Sequence, residues 1–298
     1  MNKINLLITG SWSCAENYID EIKKIGHNVV FMKYESDDLP CPCEWVEGVV
    51  CNGLFLSHPI EHFKNLKYIQ LTSAGYDRVP MEYVKKHNIE IHNAAGVYSV
   101  PMAEFAICGV LELYKQSRFF YRNQKENKWE KHRGLLELCG KQAAIIGCGN
   151  VGTECAKRFS AFDCNVIGAD LFPREDKAYN KIVNIELLDD VISNADIVVL
   201  TLPLTNRTRH LINEERLNKL KNTAVLVNIS RGAVIDTNAL LRHLPNIGGA
   251  VLDVFEEEPL SENSLLWSME NVILTPHNSF VGDGNKKRLA DLVMKNLI

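Results

Sequence analysis

The sequence predicts an α/β protein built on two doubly wound parallel sheets. Short Val/Ile/Leu-rich runs alternate with longer amphipathic stretches along the whole chain. The short runs are nearly continuous in apolar residues, the pattern of strands covered by helices on both faces. The alternation also comes in two series, separated by the loop-like segment Asn93-Ala94-Ala95-Gly96.

In the first series the strands are read at Asn5–Ile8, Asn28–Met32, Gly48–Cys51, Tyr68–Leu71 and Glu90–His92, with helical stretches such as Ala15–Ile25 and Pro80–His87 between them. In the second they are read at Gln142–Gly147, Asn165–Ala169, Ile197–Leu200, Ala224–Asn228, Gly249–Leu252 and Val272–Leu274. The join lies near Gly96–Pro101. The stretch after it, Met102–Lys115, is apolar on most sides, so it is expected as a buried helix between domains or in a dimer contact. A polar stretch, Arg118–Arg133, follows and carries Trp129. The last stretch, Lys286–Ile298, places Leu289, Leu292, Val293 and Leu297 at helical spacing and is expected to return to the first domain. The domains are therefore read as 1–98 plus 278–298, and 99–277.

Composition narrows the function. With 46% apolar and 23% charged residues among 298, the chain is an ordinary globular one. No run approaches the roughly 18 apolar residues of a membrane helix, and the apolar start ending at Ile8 is too short for an export signal. A net charge of −4 argues against nucleic acid as a partner. Nine cysteines, odd in number and irregular in spacing, read as reduced thiols of a cytoplasmic protein. Cys41-Pro42-Cys43 with Cys51 lacks the spacing of a structural zinc site, and no metal is expected.

The strongest local signal is Gly147-Cys148-Gly149-Asn150-Val151-Gly152, a G-x-G-x-x-G. It follows the apolar strand Ala143–Ile146 and opens a helix over Val151–Phe159. The first glycine allows a tight turn, the second lets the backbone approach a pyrophosphate, and the third lets helix and strand pack closely. Free N–H groups at the helix start then meet the phosphate charge. Asp170 closes the next strand, at the distance expected of a ribose-binding acid. Its carboxylate suits the ribose hydroxyls of NAD and repels the 2′-phosphate of NADP, so NAD is the expected cofactor. Arg174 is read as a solvated side chain.

Three later segments each set a reactive side chain just past an apolar strand: Arg231 after Val225–Asn228, Asp253 after Gly249–Leu252, and His277 after Val272–Leu274. In open parallel sheets, ligands bind beyond the carboxyl ends of strands. Arg231 is a permanent cation with a planar fork suited to a carboxylate. His277 can exchange a proton near neutral pH. Glu258, five residues past Asp253, can orient that ring and favour its charged form. Beside a nicotinamide, this set fits hydride transfer to a 2-keto acid.

These residues resemble the D-isomer-specific 2-hydroxyacid dehydrogenases over nearly the whole chain. The resemblance rests on Gly147–Gly152, Leu202–Thr205 with Thr208, Asn228–Gly232, Asp253–Phe255 through Glu258-Pro259, and Thr275-Pro276-His277. Weaker matches are Thr72–Asp77 and Met102–Phe105. It implies a Rossmann NAD-binding domain inserted into a flavodoxin-like substrate domain, and a homodimer built partly on the Met102–Lys115 helix. It implies Arg231 as the substrate-binding arginine, His277 as general acid/base and Glu258 as its carboxylate partner. Asp253 would hold the nicotinamide carboxamide, the Ala74 and Gly75 amides would receive the substrate carboxylate, and Pro203, Thr208 and Ile229 would contact the cofactor, as would Gly147, Gly149, Asn150, Val151, Gly152 and Asp170.

Two features depart from the family pattern. Asn278-Ser279-Phe280 stands where many members carry a small Ala-Gly pair, which leaves the identity of the acid open. The chain also ends soon after its returning helix begins, which implies a weaker seal between domains or a compact one. The related formate dehydrogenases pair their histidine with a glutamine, so Glu258 points to keto-acid chemistry. A dimeric NAD(H)-sensing protein, similar to the C-terminal-binding corepressors and without significant turnover, is the alternative.

Overall fold

The structure, a computed structural model, describes residues 3–298. Met1 and Asn2, at the head of the run read as the first strand, lie outside the described residues. The chain divides into two compact units, one of residues 3–98 with Gly282–Ile298 and one of Ser99–Val281.

The first unit holds strands β1 (Asn5–Thr9), β2 (Asn28–Met32), β3 (Gly48–Cys51), β4 (Tyr68–Leu71) and β5 (Glu90–His92), all parallel, in the order β2-β1-β3-β4-β5. Its helices are α1 (Ile19–Ile25), α2 (Leu54–Ser57) and α3 (Met81–Lys86). Alternate residues of each strand serve opposite faces. Leu6, Ile8 and Val50 join one apolar cluster, while Leu7, Val49, Cys51 and Ile69 join the other. The expected Ala15–Ile25 helix is interrupted. A 3-10 turn over Ala15–Asn17 precedes α1, with Tyr18 at φ −112° between them, and Gly26 ends α1 in the left-handed region at φ 116°.

The second unit opens with α4 (Ser99–Tyr114) and α5 (Ser117–Lys125) and then lays down β6 (Gln142–Ile146), α6 (Asn150–Ala161), β7 (Asn165–Asp170), β8 (Lys181–Asn184), α7 (Leu188–Asn194), β9 (Ile197–Leu200), α8 (Glu214–Leu217), β10 (Val225–Asn228), α9 (Thr237–His243), β11 (Gly249–Leu252) and β12 (Val272–Leu274). The seven parallel strands run β12-β11-β10-β9-β6-β7-β8. Ile145, Val199, Val227 and Val251 face the side covered by α4 and α6, while Ile146, Val198, Leu226 and Leu252 face the side covered by α7 and α9. Gly109 in the middle of α4 has a packing reason: a Cβ there would press into the Val251 side chain of β11. The expected start of this helix at Met102 moves back to Ser99 because Pro101 falls in the first turn, where its missing N–H costs nothing. After α5 the backbone is irregular, and Trp129 is 98% exposed.

The last helix, α10 (Asn285–Leu297), belongs to the first unit. Its Leu289, Ala290, Val293, Met294 and Leu297 pack with Leu6, Ile8 and Val50. Arg288 Nε donates to the Val97 carbonyl at 2.7 Å, and buried His27 bonds the Leu297 carbonyl through Nε2 at 3.0 Å. The expected class, two parallel-sheet α/β units, is the observed one. Among the described residues no helix is long and apolar enough to cross a membrane, and no cluster of His, Cys, Asp and Glu could hold a metal ion. All nine cysteines are free thiols.

Candidate functional site

In the second unit the strand order reverses between β6 and β9, the point where open α/β sheets take their ligands. The glycine turn follows β6 here. Gly147 takes φ 94°, and a Cβ on it would lie 2.8 Å from the Leu202 nitrogen. Gly152 faces the Gly147 carbonyl so closely that a Cβ would collide with it. Gly149 differs from both: a Cβ there would meet nothing within 4 Å. Thr201, just past β9, fixes the turn by donating its hydroxyl to the Gly147 carbonyl at 2.6 Å. Helix α6 begins at Asn150, and Gly149 before it offers no side-chain cap, so the first N–H groups of Asn150, Val151 and Gly152 lack the usual acceptor. Open space in front of uncapped helix N–H groups fits a diphosphate.

Asp170 closes β7 and accepts from the Cys148 N–H at 2.7 Å through Oδ2 and from the Phe172 N–H at 3.0 Å through Oδ1. Arg174 is exposed, as the sequence reading has it, and its guanidinium also donates to the Cys148 carbonyl at 2.6 Å and to Thr153 Oγ1 at 3.3 Å. Burial pushes the Cys148 thiol up to about 11, so it is held as an unreactive thiol. In the loop after β9, the Thr208 hydroxyl donates to the Pro203 carbonyl at 2.7 Å, and Thr205 N–H donates to the same hydroxyl at 2.7 Å.

The loop after β10 is organised by Asn228, a buried amide that sequence reasoning missed. Its Oδ1 accepts from the N–H and hydroxyl of Ser230, and its Nδ2 donates to the Arg231 carbonyl at 3.0 Å. A buried amide at a strand end must find such partners, and that was the available signal. Ile229 is buried in the core, so only its backbone can face a ligand. The Arg231 guanidinium donates to the Ser230 carbonyl at 2.8 Å. Gly232 next to it is pressed against the Phe255–Glu256 backbone, where any Cβ would collide. That close approach brings the Arg231 loop against the segment carrying Glu258.

Asp253, expected to hold the nicotinamide carboxamide, is a fully buried residue. Oδ1 accepts from the Thr275 hydroxyl at 2.6 Å and the Asn278 N–H at 2.7 Å, and Oδ2 accepts from the Ser279 N–H at 2.9 Å. The Asp253 carbonyl accepts from the His277 N–H at 2.7 Å. The residue therefore folds the 275–279 turn, in which His277 stands at φ 51°. Glu258 spans two partners, accepting from the Phe255 N–H at 3.0 Å through Oε1 and meeting His277 Nδ1 at 2.8 Å through Oε2. The structure thus brings the expected His–Glu pair together through Nδ1 of the ring. Phe280 stands edge-on to the His277 ring, with centroids 6.2 Å apart.

In the first unit, the loop after β4 has its carbonyls tied down. Ser73 accepts from the Ala94 N–H at 2.8 Å, Ala74 from Asn93 Nδ2 at 2.6 Å, and Gly75 from the Ser73 hydroxyl at 3.0 Å. Among the described hydrogen bonds none uses the N–H of Ala74 or Gly75.

Comparison with known proteins agrees with this architecture. The profile described as D-isomer specific 2-hydroxyacid dehydrogenase, NAD binding domain, matches residues 107–279. A glyoxylate reductase of Thermofilum pendens is 37% identical over 243 residues, which is 78% of this chain and 71% of that one. A D-isomer specific 2-hydroxyacid dehydrogenase of Xanthobacter autotrophicus, solved in complex with NADPH and MES, superposes with a TM-score of 0.81 at 25% identity, over 99% of this chain and 94% of that one. A D-lactate dehydrogenase of Aquifex aeolicus, complexed with NAD and lactic acid, superposes with a TM-score of 0.78 at 26% identity, over 98% and 94%. With the profile spanning more than half the sequence and a relative at this identity, the chain belongs to the D-isomer specific 2-hydroxyacid dehydrogenases, oxidoreductases acting on the CH–OH group of their donors.

Proposed function

We propose that the protein interconverts a small 2-keto acid and the corresponding D-2-hydroxy acid, using NAD(H). The observation that carries this reading is the His277–Glu258 pair, held one turn beyond β12 and beside the Gly232 contact that fixes the Arg231 loop. Glyoxylate is the first substrate to test, because the relative at 37% identity is a glyoxylate reductase.

When bound, NADH would supply the hydride. Arg231 holds the carboxylate of the acid and polarises its carbonyl. In the first unit, the N–H groups of Ala74 and Gly75 suit a carboxylate of the acid. His277 delivers the proton to the carbonyl oxygen from Nε2, while Glu258 orients the ring through Nδ1. Gly149, Asn150, Val151 and Gly152 receive the diphosphate, and Pro203, Thr208 and the Ile229 backbone line the rest of the cofactor. Asp170 takes the ribose hydroxyls and favours NAD over NADP, since a 2′-phosphate would sit against its carboxylate.

The protein is further proposed to be a homodimer. Support comes from the outer side of α4, where Ile107, Cys108, Leu111 and Phe162 line an apolar groove of about 460 Å³, and from the exposed Trp129.

The test is steady-state NADH oxidation with glyoxylate, hydroxypyruvate, pyruvate and branched 2-keto acids, with NADPH run in parallel. Turnover of at least one acid is expected, with Arg231→Ala losing about 100-fold or more in kcat/KM while keeping NADH affinity. NADH binding with no turnover of any acid would overturn the enzyme reading in favour of a cofactor-sensing protein.

A further inference from the structure

We propose that His210 and Glu256 form a strut that positions the Glu258 segment and the Arg231 loop for the reaction; this rests on the function proposed above. Neither residue carries a role in the mechanism. Glu256 stands two residues before Glu258, in the loop after β11, and His210 two residues after Thr208, in the loop after β9.

The Glu256 carboxylate joins three segments. Oε1 meets His210 Nε2 at 2.6 Å, and Oε2 accepts from the Thr237 N–H at 3.0 Å, at the start of α9. The loop holding His210 is itself stitched to the chain that follows Arg231. The His210 N–H donates to the Ala233 carbonyl at 2.8 Å, Ile212 N–H to Val234 at 3.0 Å, and Asp236 N–H back to Ile212 at 3.0 Å. Gly232 closes the knot, because the Phe255–Glu256 backbone fills the place its side chain would take. The loops after β9, β10 and β11 therefore share one junction, and each carries a residue of the proposed site within two positions of it.

His210 also sits at φ 50°, in the left-handed region that few residues other than Gly, Asn, Asp and His adopt. The Glu256 carboxylate is also suited to a fixed contact. Burial pulls it upward, but the bonds from Thr237 and His210 outweigh this and hold it below the usual carboxylate range. An ordinary exposed ion pair contributes little, but a carboxylate bonded to two segments while its own backbone packs against a third fixes relative position. A misplacement of about 1 Å can cost about 100-fold in rate.

The test is a double-mutant cycle with one rescue. Wild type, His210→Ala, Glu256→Ala, the double variant and His210→Gln are measured for kcat and KM with the best 2-keto acid, for NADH affinity, and for melting temperature. Each alanine variant should lose about tenfold in kcat/KM, mostly in kcat. The double variant should be no worse than either single one, because the pair acts as a unit. His210→Gln keeps an N–H donor near Nε2 and should recover to within about threefold of wild type. Alanine variants within twofold of wild type, multiplying losses in the double variant, or a glutamine variant as impaired as alanine would each overturn the strut. If wild type turns over no acid, the proposed function fails first, and NADH affinity then decides: weakened in both alanine variants and restored in His210→Gln supports the strut, unchanged overturns it.

Discussion

The carboxylate of Glu258 meets the imidazole of His277 at 2.8 Å, Oε2 to Nδ1, while its other oxygen accepts the Phe255 N–H at 3.0 Å. The second bond anchors the carboxylate to its own backbone, so the ring is held by a group that is itself fixed. With Nδ1 engaged, only Nε2 remains to exchange a proton with substrate. Glu258→Gln should lower kcat by about 100-fold with a KM change of less than about threefold, because the lost interaction matters most when the ring is charged. Stopped-flow and steady-state NADH oxidation give both numbers. A Glu258→Gln enzyme with near-normal kcat would show that the carboxylate does not assist proton transfer.

The second and third glycines of the dinucleotide turn should respond in opposite ways. Gly152→Ala forces a methyl against the Gly147 carbonyl and should destabilise the fold by about 1–3 kcal/mol, read by thermal or urea unfolding without any ligand. Gly149→Ala places its methyl in open space, so unfolding should be almost unchanged. That open space is where the diphosphate approaches, so the same variant should bind NADH about tenfold more weakly or worse. Tight NADH binding by Gly149→Ala would move the diphosphate elsewhere.

Asp253 should behave as a folding residue with a functional consequence. Asp253→Ala leaves the buried Ser279 N–H, the Asn278 N–H and the Thr275 hydroxyl without their acceptor. That should cost about 3 kcal/mol or more, read as a lower urea midpoint at unchanged slope. Activity should fall as well, since His277 hangs from the same turn. Full stability in Asp253→Ala would mean the turn closes without it.

Sequence patterning made the two sheets legible because their strands are buried on both faces, and a run such as Ile197–Leu200 then has no polar position to confuse the reading. β8 escaped detection for the opposite reason. It is an edge strand with only Ile182 and Val183 between Lys181 and Asn184, and an edge needs little apolar surface. Of the candidate site, the reactive residue types and their places after strands were readable, and the structure brings His277 and Glu258 into contact. The hydrogen-bond partners of Asp253 and Arg174 were not readable, because they depend on turns that bring distant parts of the chain together. The φ of 51° at His277 is a turn property of the same kind.

Acid stability should be sensitive to Asp196, which precedes β9 at the amino ends of the strands. Oδ2 accepts from the Gln142 N–H at 2.9 Å and Oδ1 from Lys221 Nζ at 3.0 Å, joining the entries of β6 and β9 to the chain before β10. Partial burial pushes its pKa up, but the bonds from Gln142 and Lys221 prevail and hold the carboxyl below the usual range. The folded protein therefore keeps this group ionised at pH values where the unfolded chain has begun to protonate it. The stability it contributes is fully present above the unfolded value of about 3.9 and is lost as pH falls through the lower folded value. Asp196→Asn should melt below wild type at about pH 7, and the gap should narrow steadily on going to about pH 3, because wild type then forfeits what the variant never had. Melting curves across that range measure it, and a gap that stays constant or widens in acid would show that the ionised carboxylate is not what ties these strand ends together.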